Sequence, residues 1–254
     1  MSALIVGTFA PDFEYFLTLT PQDRFGHSLA GVFVMTLPLA LVVFWIFENV
    51  VKAPVMRLLP DAIRNRLAAD RERPRFSGLP GFGWILVSAL IGIATHLAWD
   101  AFTHSTTWLY RHWSFLSRTA EVPIIHQTQY YKLFQHGSTV VGMCILTAWF
   151  IRWYRTTKPA PEPPRRLLSP SQRLLTSGLI LTIAFFSAMV RAFAGVGMPR
   201  RRDGLQMFAG EAVVTFVALI WWQLVVYGLF FLKRGATFRR DDLAAVSKSQ
   251  KGRS

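Results

Sequence analysis

Five apolar runs, each close to the roughly 20 residues that a bilayer-crossing helix requires, divide this chain. They lie at about His27–Val51, Phe82–Thr103, Gly137–Trp153, Leu174–Phe193 and Ala212–Leu232. Lipid offers no partners to backbone N–H and C=O groups, so a spanning segment must satisfy them internally, and helices do so. The expected fold is therefore all-α: a polytopic helical membrane protein of about five transmembrane helices, one domain over 1–235. The opening Ala3–Ala10 is apolar but too short to span alone.

Charge patterning orients the spans. The chain carries 28 Lys and Arg against 14 Asp and Glu, a net charge of +14, yet charged residues are only 17% of it. A soluble domain carries about 25%. The basic residues sit in blocks between the apolar runs, which argues for topology rather than nucleic acid. Before the first run there is Arg24 alone; the following loop holds Lys52, Arg57, Arg64, Arg66, Arg71, Arg73 and Arg75. The next holds Arg111, Arg118 and Lys132, and the third Arg152, Arg155, Lys158, Arg165, Arg166 and Arg173. The fourth holds Arg191 and Arg200 to Arg202, and the tail Lys233, Arg234, Arg239, Arg240, Lys248, Lys251 and Arg253. The alternation of poor and rich segments places the N-terminus outside and the C-terminus in the cytoplasm. No cleavable signal pattern is present, since there is no basic n-region and Pro11-Asp12 interrupts the apolar start. Cys144 is the single cysteine, which excludes an internal disulfide.

The stretches on the cytoplasmic side read as structural. Ala53–Asp70 sets Val55, Met56, Leu59, Ile63 and Leu67 among arginines, the pattern of an interfacial amphipathic helix, restarted after Pro60 with Asp61 near its N-terminus. Lys158–Pro164 is a stiff proline-rich linker. Residues 236–254 read as a disordered cytoplasmic tail. Pro38 is expected to kink the first span. Trp108, Tyr130 and Tyr131 read as interface aromatics.

The chemistry gathers at the outer end of the second span. His96, Asp100 and His104 recur every fourth residue, which on a helix sets two imidazoles and a carboxylate along one stripe. Ionisable groups are costly at membrane depth, so such a stripe is a functional site by default. The topology puts all six histidines on the same side: His27 and His136 begin spans, and His112 and His126 lie in the second loop. Imidazoles and carboxylates are ligands for zinc or a similar divalent ion. Four residues rise about 6 Å along a helix, so His96 and Asp100 can share an ion, or Asp100 and His104, but not all three. Asp12, His27 and His136 would complete the shell from other segments.

Plainer roles stand beside these. His112 and His126 suit interfacial polar positions, and Asp12 suits a helix cap before Phe13–Leu17. His96 and Asp100 can glue helices. Arg191 and Glu211 can form an ion pair. Ser88 and Gly92 share a face with His96 and allow close helix contact.

Four motifs carry a resemblance: Ala-Pro-Asp-Phe-Glu-Tyr-Phe (10–16), Gly-His-Ser-Leu-Ala-Gly (26–31), Thr-His-Leu-Ala-Trp-Asp-Ala-Phe-Thr-His (95–104) and Tyr-Lys-Leu-Phe-Gln-His-Gly-Ser (131–138). In this order they resemble a bacterial family of polytopic membrane proteins, domain of unknown function 4184. More distantly, Pro-Asp, a His near a span start and His-x-x-x-Asp are similar to inner-membrane metal-dependent hydrolases. That resemblance implies Asp12, His27, His96 and Asp100 as metal ligands. It also implies a bacterial inner-membrane location. The family pattern begins with an upstream His-containing segment, whereas Met1-Ser2-Ala3 stand here. The expected function is a metal-dependent hydrolase at the outer face, acting on a lipid-linked or phosphate-containing substrate, with His104 and His136 as further ligands or general acid/base. The competing expectation is a small transporter or assembly partner whose polar stripe packs helices or relays protons.

Overall fold

Among the residues that the computed structural model describes (1–19, 25–69, 79–122, 126–160, 168–199 and 202–251), five helices are long and apolar enough to cross a membrane. They are Leu29–Leu58, Pro80–His112, Tyr130–Thr156, Pro170–Val196 and Gly204–Lys233, one for each apolar run. The architecture is the all-α membrane type that hydropathy predicts. Contacts group the chain into two compact units: Met1–Asp12, Arg24–Leu41 and Asp61–Pro164 in the first, and Phe13–Asp23, Val42–Pro60 and Arg165–Ser254 in the second.

In chain order, α1 (Ser2–Phe9) runs through a 3₁₀ turn (Ala10–Asp12) into α2 (Phe13–Thr18). A second 3₁₀ turn (Phe25–His27) leads into α3 (Leu29–Gly31), a π turn (Val32–Thr36), α4 (Leu37–Ile46), a second π turn (Phe47–Val51) and α5 (Lys52–Leu58). The wide turn before Pro38 has a local cause. Proline has no N–H for the carbonyl four residues back, and the Leu37 N–H bonds five back to Val32. The irregularity expected at Pro38 therefore takes the form of a π turn. Leu59 then turns extended ahead of Pro60, and α6 (Asp61–Ala69) restarts with Arg64 Nη2 2.6 Å from Asp61 Oδ1.

The second span is α7 (Leu79–Thr103), followed by the short α8 (Trp108–His112) and α9 (Ser114–Ser117). A two-stranded antiparallel hairpin follows, β1 (Thr119–Val122) against β2 (His126–Gln129), with Thr119 opposite Gln129. It was not expected, since four-residue strands have too little alternation to stand out. The remaining spans are α10 (Tyr130–Thr156), α11 (Pro170–Val196) and α12 (Arg202–Lys251). Ser169 opens α11 with a capping box closed by Gln172. The backbone of α12 stays helical to Lys251 where a disordered tail was expected from 236. Leu243, Ala244 and Ala245 supply good helix formers there. Most of the proline-rich stretch at 158–164 lies outside the described residues.

In the first unit α1 packs along α7. This contact depends on glycine. A Cβ at Gly92 would meet the Leu4 carbonyl oxygen and lie 2.7 Å from the Thr8 nitrogen, and a Cβ at Gly7 would collide with the backbone of Ala89. Gly7, Ala89 and Gly92 thus make the close approach; Ser88, expected to share it, bonds its own helix at the Trp84 carbonyl. Arg66 holds the other end of the unit, stacking on Tyr154 and donating to the Tyr154 carbonyl at 2.9 Å.

The second unit is built on α11 packed with α12. Alanines 184, 188 and 192 form the buried stripe of α11, a small-residue seam that lets the backbones approach. The expected ion pair is present: Arg191 Nη2 lies 3.5 Å from Glu211 Oε1, and the same guanidinium donates to the Leu19 carbonyl. Glu14, on α2 in this unit, has Oε2 buried without a hydrogen-bond partner among the described residues.

Candidate metal centre

The site lies wholly in the first unit, and three local folding events assemble it. The first is the end of α1. The Thr8 carbonyl faces outward from the last turn, and Pro11 has no N–H to offer it. His96 Nδ1 meets that carbonyl at 2.7 Å instead. A carbonyl oxygen only accepts, so Nδ1 carries a proton, and Nε2 is the atom turned to Asp100. Beyond Pro11 the 3₁₀ turn ends on Asp12.

The second event is the entry to the first span. Ser28 caps α3: its Oγ accepts from the Gly31 N–H at 3.0 Å and donates to the Phe25 carbonyl at 2.8 Å. Gly31 is required there, because a Cβ would collide with the Phe25 carbonyl. Thr36, fully buried, donates its hydroxyl to the Gly26 carbonyl at 2.9 Å. This ties the turn carrying His27 to the helix below it. Thr36→Val removes the donor and leaves a buried carbonyl unpaired. It is expected to cost about 1–3 kcal/mol, read as a lowered thermal midpoint in detergent.

The third event is the periodicity of α7, which presents His96, Asp100 and His104 along one side. Asp100 divides its two oxygens. Oδ2 lies 3.1 Å from His96 Nε2 and 3.5 Å from His27 Nε2, while Oδ1 lies 3.5 Å from His104 Nδ1. Asp12 Oδ1 lies 3.6 Å from His27 Nε2 and 3.8 Å from His96 Nε2. The ligand atoms of Asp12, His27 and His96 all fall within 4.8 Å of one another.

These separations have a chemical meaning. Metal–ligand bonds of about 2.0–2.1 Å in a tetrahedron set neighbouring ligand atoms about 3.3 Å apart. His96 Nε2 is buried and lies 3.1 Å from Asp100 Oδ2. A proton on Nε2 makes this an imidazolium–carboxylate pair, and a metal ion between the two atoms would satisfy them in its place. Burial also pushes the Asp12 carboxyl above its ordinary range, against the opposing pull of His96 and His27. Asp12, His27 and His96 form a donor set that could hold a divalent ion, and Asp100 stands against both imidazoles.

The other candidates are placed differently. His104 reaches only the outer oxygen of Asp100 and shares its Nδ1 with the Thr103 hydroxyl at 3.2 Å. His136 is exposed on α10, and among the described residues no ion pair or hydrogen bond ties it to the cluster. His112 stacks on Trp108 and points Nδ1 at its carbonyl, a contact internal to α8. His126 stands opposite Val122 in the hairpin. Tyr130 and Tyr131 pack on Phe115 and Tyr110, so their rings serve the loop between the second and third spans. Sequence reasoning missed the Thr8 carbonyl, which orients His96. The only trace of it was a short apolar segment ending in Pro11.

No curated protein and no solved structure matches the chain. A family model does match, over residues 1–229, and the chain accordingly belongs to the family described as a domain of unknown function, DUF4184.

Proposed function

We propose that the chain is a divalent-metal-dependent hydrolase of the bacterial inner membrane, with its centre at the outer face. Asp12, His27, His96 and Asp100 are the ligands, zinc or a similar ion the cofactor, and a lipid-linked or phosphate-containing molecule the substrate. The observation that carries the reading is the convergence of Asp12, His27 and His96, whose ligand atoms lie within 4.8 Å of one another, with Asp100 Oδ2 3.1 Å from His96 Nε2. The outer location rests on the basic blocks, which favour the opposite side for the Lys52–Arg75 loop. A bound divalent ion brings the pKa of a coordinated water toward neutrality. His104, 3.5 Å from the far oxygen of Asp100, would be placed to accept a proton from such a water.

A second reading has one observation in its favour. The His96–Thr8 hydrogen bond joins α7 to α1, as a helix-packing residue of a non-enzymatic transporter or assembly partner would. Metal analysis separates the two. Protein purified in detergent is expected to hold about one Zn, Mn or Fe per chain by plasma mass spectrometry. Stripping it with a chelator is expected to cost about 4 kcal/mol of stability when free metal had stood near 1,000 times Kd. Wild-type protein without stoichiometric metal, and with a melt unmoved by chelator, would leave only the packing reading.

A further inference from the structure

His104 follows the last residue of α7, and its backbone is held on both sides. Its N–H donates to the Asp100 carbonyl at 3.1 Å, and the Thr107 hydroxyl lies 2.9 Å from the Ala101 carbonyl and 3.0 Å from that of His104. The ring is held through one nitrogen. Nδ1 lies 3.2 Å from Thr103 Oγ1 and 3.5 Å from Asp100 Oδ1. Thr103 is only 3% exposed, and the single proton of its hydroxyl goes to the Trp99 carbonyl at 3.2 Å. Its oxygen is then left to accept, as a carboxylate oxygen does. Two acceptors therefore face Nδ1, and the proton toward them belongs to the imidazole. The opposite tautomer would turn a nitrogen lone pair to both oxygens. With Nδ1 engaged, Nε2 is the nitrogen left for water, and the side chain is 43% exposed.

We infer that Thr103 is a positioning residue: its hydroxyl, together with Asp100 Oδ1, keeps a proton on His104 Nδ1 and so makes Nε2 the nitrogen that meets the reacting water. The inference rests on the reading of His104 above as the proton acceptor, and it names the atom that acts. An O–H bond of the water breaks and an N–H bond forms at Nε2, while Nδ1 keeps its own proton. The imidazolium so formed faces Asp100 across 3.5 Å. Thr103 touches no reacting atom; it acts through the ring, since the partner of one imidazole nitrogen decides what the other can do. A plainer role for the same hydroxyl is back-bonding to the carbonyl four residues earlier, common for threonine in helices. That role alone would leave the tautomer of His104 free. The Nδ1 contact on the same oxygen is what adds the second role.

The test uses full-length protein reconstituted in lipid, its histidines enriched in the spin-half nitrogen isotope and read by solid-state NMR. The His104 signals are identified by their loss in His104→Ala. With the ring neutral, wild type is expected to show a protonated Nδ1 and a bare Nε2. Thr103→Val keeps the shape and removes the hydroxyl. The ratio of the two tautomers is expected to fall about fivefold, the factor set by one hydrogen bond of ordinary strength. Thr103→Ser is expected to restore the wild-type pattern. Hydrolysis of bis(p-nitrophenyl) phosphate and metal content are measured on the same samples. Thr103→Val is expected to lower kcat by a similar factor at unchanged KM and metal content, with rescue by Thr103→Ser. A bare Nδ1 in wild type would overturn the inference, and that measurement needs no variant to fold. So would a folded Thr103→Val with an unchanged tautomer, or with a shifted tautomer and undiminished kcat. The expected tautomer in a wild type without metal or turnover would uphold the positioning while removing the hydrolase reading, so the two fail separately.

Discussion

Replacing Asp100 with alanine is expected to empty the centre and stop any hydrolysis that depends on it. Asp100 is the residue on which the cluster converges, facing His96 and His27 with one oxygen and His104 with the other. Losing a group that merely orients a metal ligand costs 10–100-fold in affinity, and losing a ligand should cost about 100-fold or more. Metal content should fall from stoichiometric to trace in purified Asp100→Ala. His104→Ala makes the contrast. It leaves the four-ligand set intact, so the metal should stay while turnover drops about 10²–10⁴-fold, the usual contribution of a general base. The two variants together separate holding the ion from using it. An Asp100→Ala protein with wild-type metal content would remove the proposed centre.

The second large effect is expected at Gly92, where a single methyl group should unseat α1. The atoms that an alanine Cβ would meet are backbone: the Leu4 carbonyl oxygen, the Thr8 nitrogen and the Gly7 carbonyl carbon. None is the far end of a flexible side chain, so the helix as a whole must move. Overpacking among side chains costs about 1–3 kcal/mol, and a collision with backbone should reach at least the upper end of that range. The gain in helix propensity from glycine to alanine, about 1 kcal/mol, offsets only part of it. Gly83→Ala on the same helix is the control, because a Cβ there meets nothing within 4 Å. It should be neutral or slightly stabilising. Thermal unfolding in detergent checks both. Gly92→Ala should also lose metal, since displacing α1 moves the Thr8 carbonyl off His96 and takes Asp12 with it.

What could be read from the sequence followed from two periodicities. Run length and hydropathy locate all five spanning helices, because lipid admits so few backbone solutions. The 3.6-residue repeat puts His96, Asp100 and His104 on one side, and the rise per residue explains why His104 stands apart from the inner group. The docking of α1 was not legible in the same way. Its eight residues are mostly apolar, with Ser2 and Thr8 only at its ends, so no stripe marks the face that meets α7, and the glycines that permit the contact lie far apart in sequence at 7 and 92. The orientation of His96 was hidden for a related reason: its partner is a backbone carbonyl, and every residue type has one. His136 shows the opposite limit. A histidine at a span start looks like a ligand in one dimension, but its place on α10 leaves it exposed and away from the inner group.

The division of the ligands between two limbs of the chain bears on how the protein is made. Asp12 and His27 leave the ribosome with the first span; His96 and Asp100 follow only with the second. Until the second limb arrives, Asp12 and His27 have only each other, and His96 and Asp100 then bring the rest of the cluster. Insertion of the second span is then also the step that completes the proposed centre, and if that centre takes metal, its supply during synthesis would bear on how many chains reach the folded membrane pool.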